Sequence, residues 1–178
     1  MVYAVTHVLI VVILLELFRE HFVKNKQNFP FHYVFAGGIF SLFPDFDVAV
    51  FYILSFFGFT IEQIHRTFSH NIFIPLLFAA LAFVSYKFKS KKLSEHHIKL
   101  KNLFLVIAFG IFIHLVLDAL IWGKISPFYP LSNYSIGLDL VKAVPSAWQK
   151  SFLQSLDAAL LIIWLVYLEL RHKISSFL

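Results

Sequence analysis

Seven histidines and aspartates, His7, Asp45, Asp47, His65, His70, His114 and Asp118, lie within or beside the most apolar stretches of this chain. Water-soluble proteins bury such groups only when they are paired or bind a metal, and a bilayer penalises a carboxylate at mid-depth by roughly 2.5 to 3.5 kcal/mol. Any fold open to this sequence must therefore bring these seven groups partners.

The apolar background is itself extreme. Hydrophobic residues make up 60% of the chain and charged residues 14%, with a mean hydropathy of +0.80; an ordinary soluble domain is about 45 to 50% apolar. The expected class is all-α, a polytopic bundle of membrane helices forming one domain over residues 1–178. A spanning helix needs about 20 mostly apolar residues. Residues 2–18, 72–86, 103–122 and 152–170 meet that need closely enough to be read as spans. Residues 31–43 form a shorter fifth span, in which Gly37 and Gly38 permit close approach of a neighbour. Residues 48–59 are too short for an easy crossing and read as a re-entrant or interfacial helix.

Basic residues orient the bundle, because cytoplasmic loops collect Lys and Arg. Eleven of the fifteen fall on one side: Arg19, Lys24, Lys26, six lysines between positions 87 and 101, Arg171 and Lys173. Only Arg66, Lys124, Lys142 and Lys150 fall on the other. This predicts five crossings with the amino terminus outside and the carboxyl terminus cytoplasmic. The net charge of +5 then reflects topology and calls for no nucleic-acid partner, while the basic loop at 87–101 suits contact with anionic lipid heads. The first apolar stretch lacks a basic leader and a small-residue cleavage site and carries His7 and Glu16, so it is read as a helix of the mature protein. There is no cysteine, so any metal must be held by imidazole and carboxylate.

In this topology all seven groups fall at the outer face. Pro44-Asp45-Phe46-Asp47 ends an apolar helix, and carboxylates at i and i+2 can turn toward one centre from a loop. His65 and His70, in His65-Arg66-Thr67-Phe68-Ser69-His70-Asn71, are five apart, too far round a helix to share a face. His65 is placed in a loop or helix end, Ser69 as the N-cap of the next span, and His70 in its first turn. Arg66 offers a planar fork matched to phosphate. His114 and Asp118, four apart, share one helical face. Asp157 lies at a similar level as a secondary candidate, whereas Glu16 and Glu20 read as surface groups at the opposite end. His21, His32, His96, His97 and His172 belong to the cytoplasmic side without an assigned role.

Four histidines and three aspartates suit Zn²⁺, with Mn²⁺ or Fe as alternatives, and they suffice for two ions. Such a centre acidifies water and clamps both oxygens of a phosphoryl displacement. Asp47 or Asp118 would take the proton and Arg66 would neutralise developing charge.

The order Thr6-His7, Pro44-Asp45-x-Asp47, His65-Arg66-x-x-Ser69-His70, His114-x-x-x-Asp118, Gly123 and Tyr129-Pro130 resembles the YdjM-like family of membrane-bound metal-dependent hydrolases. The resemblance runs from residue 6 to about 130. It implies a small multi-pass membrane protein with a metal-dependent hydrolase site, and a distant likeness to the zinc-dependent phospholipase C and P1 nuclease group. Family members often carry threonine where this chain has Ile121, and a small or hydroxyl residue where it has Asn71.

The expected function is a membrane-embedded phosphoesterase acting on a lipid or lipid-linked substrate at the outer leaflet, with residues 123–150 as a lid or substrate-facing loop. Two rivals are a metal-ion transporter or proton relay, and a non-catalytic protein whose metal braces helices. A conduction path requires polar groups through the cytoplasmic half, and segments such as 74–82 and 160–165 carry none.

Overall fold

In the computed structural model, which describes residues 4–66, 68–88 and 98–173, the protein is all-α. The described helices are α1 (Ala4–Phe22), α2 (Phe31–Phe40), α3 (Phe46–Leu54), the single turn α4 (Ile61–Ile64), α5 (Phe73–Val84), α6 (Leu100–Ile121) and α7 (Ser146–His172). Among the described residues the only extended pairing is one antiparallel bridge, Ile125 to Ile136. Thr67, most of the basic loop at 87–101, His96 and His97 lie outside the described residues.

Two helices, α6 and α7, are long and apolar enough to cross a membrane. α1 has 19 residues, about 28 Å of helix at 1.5 Å per residue. α2 has 10 and α5 has 12, so their helical parts are only about 15 and 18 Å long. α3 continues into a 3-10 turn, Ser55–Phe57, and Tyr52, Ile53, Phe56 and Phe57 all point outward.

The core is built where α2 packs against both α1 and α6. Val11, Val12 and Leu15 of α1 meet Tyr33 and Val34 of α2 and Val106 of α6, all buried. Glycine makes this possible, as the sequence suggests for Gly37 and Gly38. A Cβ on Gly38 would stand 2.7 Å from the Val12 side chain, and one on Gly110 of α6 would run into the Gly37 carbonyl. Backbone thus lies on backbone, and α1 with His7, α6 with His114 and Asp118, and α2, whose end leads to Asp45, are drawn together. α5 packs on α6, and α7 leans on α1.

Three local expectations are corrected. Ser69 does not cap the span after it: the helix starts at Phe73, and Asn71 Oδ1 accepts the backbone N–H groups of Phe73 and Ile74 at 3.0 and 3.3 Å. His70 consequently sits in the preceding loop, where the backbone is free to aim its ring inward. Nor are Glu16 and Glu20 surface groups. Glu16 is buried and accepts from Trp164 Nε1 at 3.2 Å, while Glu20 is ringed by Arg19, Lys26 and Arg171. An acid so near a helix end is tolerated because cations and an indole N–H surround it.

Because the Gly110 contact is with rigid backbone, Gly110→Ala is expected to destabilise the protein by about 1–3 kcal/mol. Gly58→Ala is expected to cost about 1–2 kcal/mol, since Gly58 has φ +85° but nothing within 4 Å of a Cβ. Thermal unfolding in detergent compares them; a Gly110 variant as stable as the parent would refute the close-packing account.

Candidate metal centre

Five chain segments supply the cluster. α1 contributes His7, the start of α3 contributes Asp45 and Asp47, the turn after α4 contributes His65 and Arg66, the loop before α5 contributes His70, and α6 contributes His114 and Asp118. His7, His70, His114, Asp47 and Asp118 are buried almost completely, and Asp45 keeps 17% of its side chain exposed. All seven groups named from the sequence thus meet in one region.

Four of them face one another through single atoms. His70 Nε2 lies 3.3 Å from His114 Nε2. Asp45 Oδ1 is 3.6 Å from each of these nitrogens, and Asp118 Oδ2 is 3.5 Å from His70 Nε2 and 3.9 Å from His114 Nε2. Donors about 2.1 Å from a tetrahedral ion stand about 3.4 Å apart, so the spacings of the two imidazoles from each other and from each carboxylate suit ligands of a divalent metal. His7 adds its Nε2 at 3.5 Å from Asp118 Oδ1, with its ring stacked on His114 at 3.9 Å. Two sets of three can each offer converging ligand atoms: His7, His114 and Asp118, and Asp45, His65 and His70.

Hydrogen bonding supports the same reading. Both nitrogens of His7, Nε2 of His65 and Nδ1 of His114 are buried without a hydrogen-bond partner. Each such atom ordinarily costs about 1–3 kcal/mol, and the free Nε2 atoms of His7 and His65 suit a cation as the missing partner.

Asp47 behaves differently from its neighbour two residues away. Its Oδ1 meets His65 Nδ1 at 2.9 Å; its Oδ2 accepts from Arg66 N at 3.0 Å and Ser69 Oγ at 2.7 Å and meets His70 Nδ1 at 3.2 Å. A carboxylate can only accept, so it holds the proton on Nδ1 of both histidines and leaves each Nε2 with its lone pair. Burial alone would raise the Asp47 carboxyl, but the hydrogen bonds from His65, His70 and Ser69 outweigh it and keep the group well below the usual carboxylate range. His70 is thereby addressed from both sides of its ring, Asp47 at Nδ1 and Asp45 at Nε2.

Arg66 has φ +63°, which turns its side chain back across the cluster. Its Nη1 donates to Trp122 O at 2.6 Å and its Nη2 reaches Asp118 Oδ2 at 2.9 Å. Gly123 stands beside it with φ +82°, and a Cβ there would lie 2.6 Å from Nη1. The loop after α6 is clipped over this region: Pro127 O accepts from Ile72 N at 2.8 Å, and Ala119 O from Leu138 N at 2.7 Å. Asp157 accepts a hydrogen bond from Thr6, next to His7, which fastens α7 to α1 rather than bringing that carboxylate into the cluster. Ser69 was named only as a cap; nothing in the sequence marked it as a brace between Asp47 and His70.

The YdjM inner membrane protein family matches residues 1–173 of the chain. No curated protein and no solved structure matches it.

Since Asp47 orients two imidazoles, Asp47→Ala is expected to weaken Zn²⁺ affinity roughly 10–100-fold, measured by competition against a chromogenic chelator. Affinity equal to that of the unaltered protein would mean that the imidazoles need no such support.

Proposed function

Because this chain belongs to the YdjM inner membrane protein family, we propose a function exercised within a membrane: metal-dependent hydrolysis of a phosphoester on a lipid or lipid-linked substrate at the outer leaflet. The observation that carries it is the cage of His70, His114, Asp45 and Asp118, in which the two imidazoles stand 3.3 Å from each other and 3.5 to 3.9 Å from each carboxylate in an apolar bundle.

In this proposal α1, α2, α5, α6 and α7 cross, with α2 and α5 completed by the turns that flank them, and α3 with its 3-10 turn lies along the interface. The amino terminus is outside and the carboxyl terminus cytoplasmic. His70, His114, Asp45 and Asp118 hold one divalent ion, Zn²⁺ by preference for this donor set, and His7 and His65 extend the set to a second. An ion so held supplies Lewis acidity and a water acidic enough to attack at neutral pH. Asp47 fixes the ring orientations of His65 and His70. Asp45, the carboxylate with the greatest exposure in the cage, faces the route by which water and substrate enter, and it shares with Asp118 the uptake of a proton from the attacking water. Arg66, held by the Trp122 carbonyl, keeps a permanent positive charge at the site, suited to a phosphate oxygen.

Transport is the weaker reading. Val11, Val12 and Ile111, between the levels of the cage and of Glu16, are buried and apolar and offer an ion no polar steps inward along that stretch.

The purified protein, reconstituted with phospholipid or a polyprenyl phosphate, is expected to release phosphate or phosphorylated headgroup, with turnover abolished by chelation and restored by Zn²⁺ or Mn²⁺. Asp45→Ala and His114→Ala are each expected to lower turnover by at least about 100-fold, the scale of losing several kcal/mol of transition-state stabilisation. Elemental analysis of the same preparations reads metal retention separately. Undiminished hydrolysis in both variants would remove the proposal.

A further inference from the structure

A second feature lies between the same two helices that carry His7 and His114, at their other ends. A cleft of about 510 Å³ opens between α1 and α6, walled by Leu14, Phe18, Leu105 and Phe109. It closes on Val23 and on two amides, Asn28 and Asn102. Phe18 is eleven residues from His7 and Asn102 twelve from His114, so the amide end lies about 16–18 Å along the helices from the metal cage. The cleft therefore belongs to the opposite half of the bundle.

Its walls face outward. Leu14, Phe18 and Leu105 are 40, 46 and 44% exposed, so at this depth in a membrane protein their surroundings are hydrocarbon. The volume suits a chain or small ligand, and an α-helix about 10–12 Å across would not enter. At the amide end the charge is positive: Lys24 follows Val23 and Lys99 stands three residues before Asn102, both exposed, while Lys101 lies over the Tyr86 ring. The acid in that region is already neutralised, since Glu20 is held by Arg19, Lys26 and Arg171, so it does not repel an incoming anion. An apolar slot with two amides and a basic rim at its polar end matches an acyl chain joined to a phosphate.

We propose that this cleft binds an anionic phospholipid of the leaflet opposite the metal cage, with one acyl chain between α1 and α6 and the phosphate among Asn28, Asn102, Lys24 and Lys99. The site is separate from the hydrolytic centre and does not depend on it. Its role is to fill the seam between the two helices that position the ligands.

The full chain, purified in a non-ionic detergent, tests this by its unfolding temperature during titration with dioleoylphosphatidylglycerol or dioleoylphosphatidylcholine. The anionic lipid is expected to raise Tm by about 5–10 °C near 100-fold saturation, and the zwitterionic lipid by much less. Leu105→Trp, which narrows the cleft, and the combined Lys24→Gln and Lys99→Gln variant are each expected to lose most of the difference while binding Zn²⁺ as before. Equal protection by both lipids, or a full anionic effect in the lysine variant, would overturn the proposal. Should Leu105→Trp fail to fold, the lysine variant alone decides. Loss of Zn²⁺ binding in the Asp45 or His114 variants with the lipid effect intact would count only against the hydrolase reading.

Discussion

Charge inside an apolar bundle is tolerated only where something of opposite character stands against it, and the architecture around His70 follows from that requirement. Its ring touches Asp47 on one nitrogen and Asp45, Asp118 and His114 on the other. Remove the carboxylates and a buried imidazole is left unsatisfied; remove the imidazoles and three acids face one another in a medium that screens them poorly. Asp118 receives Arg66 in addition, so the positive charge of the guanidinium offsets part of the acid excess whether or not a cation is bound.

Meeting that requirement demands that distant segments approach to within a few ångströms, and the chain achieves it with very small residues and reversed backbone. Gly37 and Gly110 allow α2 and α6 to touch through their backbones, which carries the α2–α3 corner and hence Asp45 toward His114. Arg66 and Gly123, both with positive φ, fold two loops over each other so that a guanidinium from one is held by a carbonyl from the other. The two halves of the bundle then differ sharply in character. One half holds an interlocked set of imidazoles and carboxylates, and the other holds a seam of aliphatic and aromatic side chains ending in amides and lysines.

Much of this was legible from residue types and spacing. The apolar stretches announce membrane helices, and the family match places the chain among inner membrane proteins. The shared depth of His7, Asp45, Asp47, His65, His70, His114 and Asp118 foretold that they would meet, because a bilayer makes isolated ionisable groups expensive wherever they fall. What resisted reading is equally specific. Ser69 looked like a helix cap because its hydroxyl precedes an apolar run, yet Asn71, two residues later, takes that role and frees Ser69 to brace Asp47. Glu16 and Glu20 looked like surface acids because they stand among basic residues, yet Trp164 covers Glu16 and Arg19, Lys26 and Arg171 close round Glu20.

By itself the sequence determined the all-helical class, the membrane setting and the set of side chains that would have to find partners, because hydrophobic run length and the cost of buried charge are properties of residues in order. Only the tertiary structure decided what each member of that set does. Asp45 and Asp47 are two residues apart and chemically identical, but the first faces His70 Nε2 and His114, and the second holds Nδ1 of His65 and His70 from behind. That division of labour depends on directions of approach between segments as far apart as residues 7 and 118, and those directions are set by packing, which no local pattern encodes.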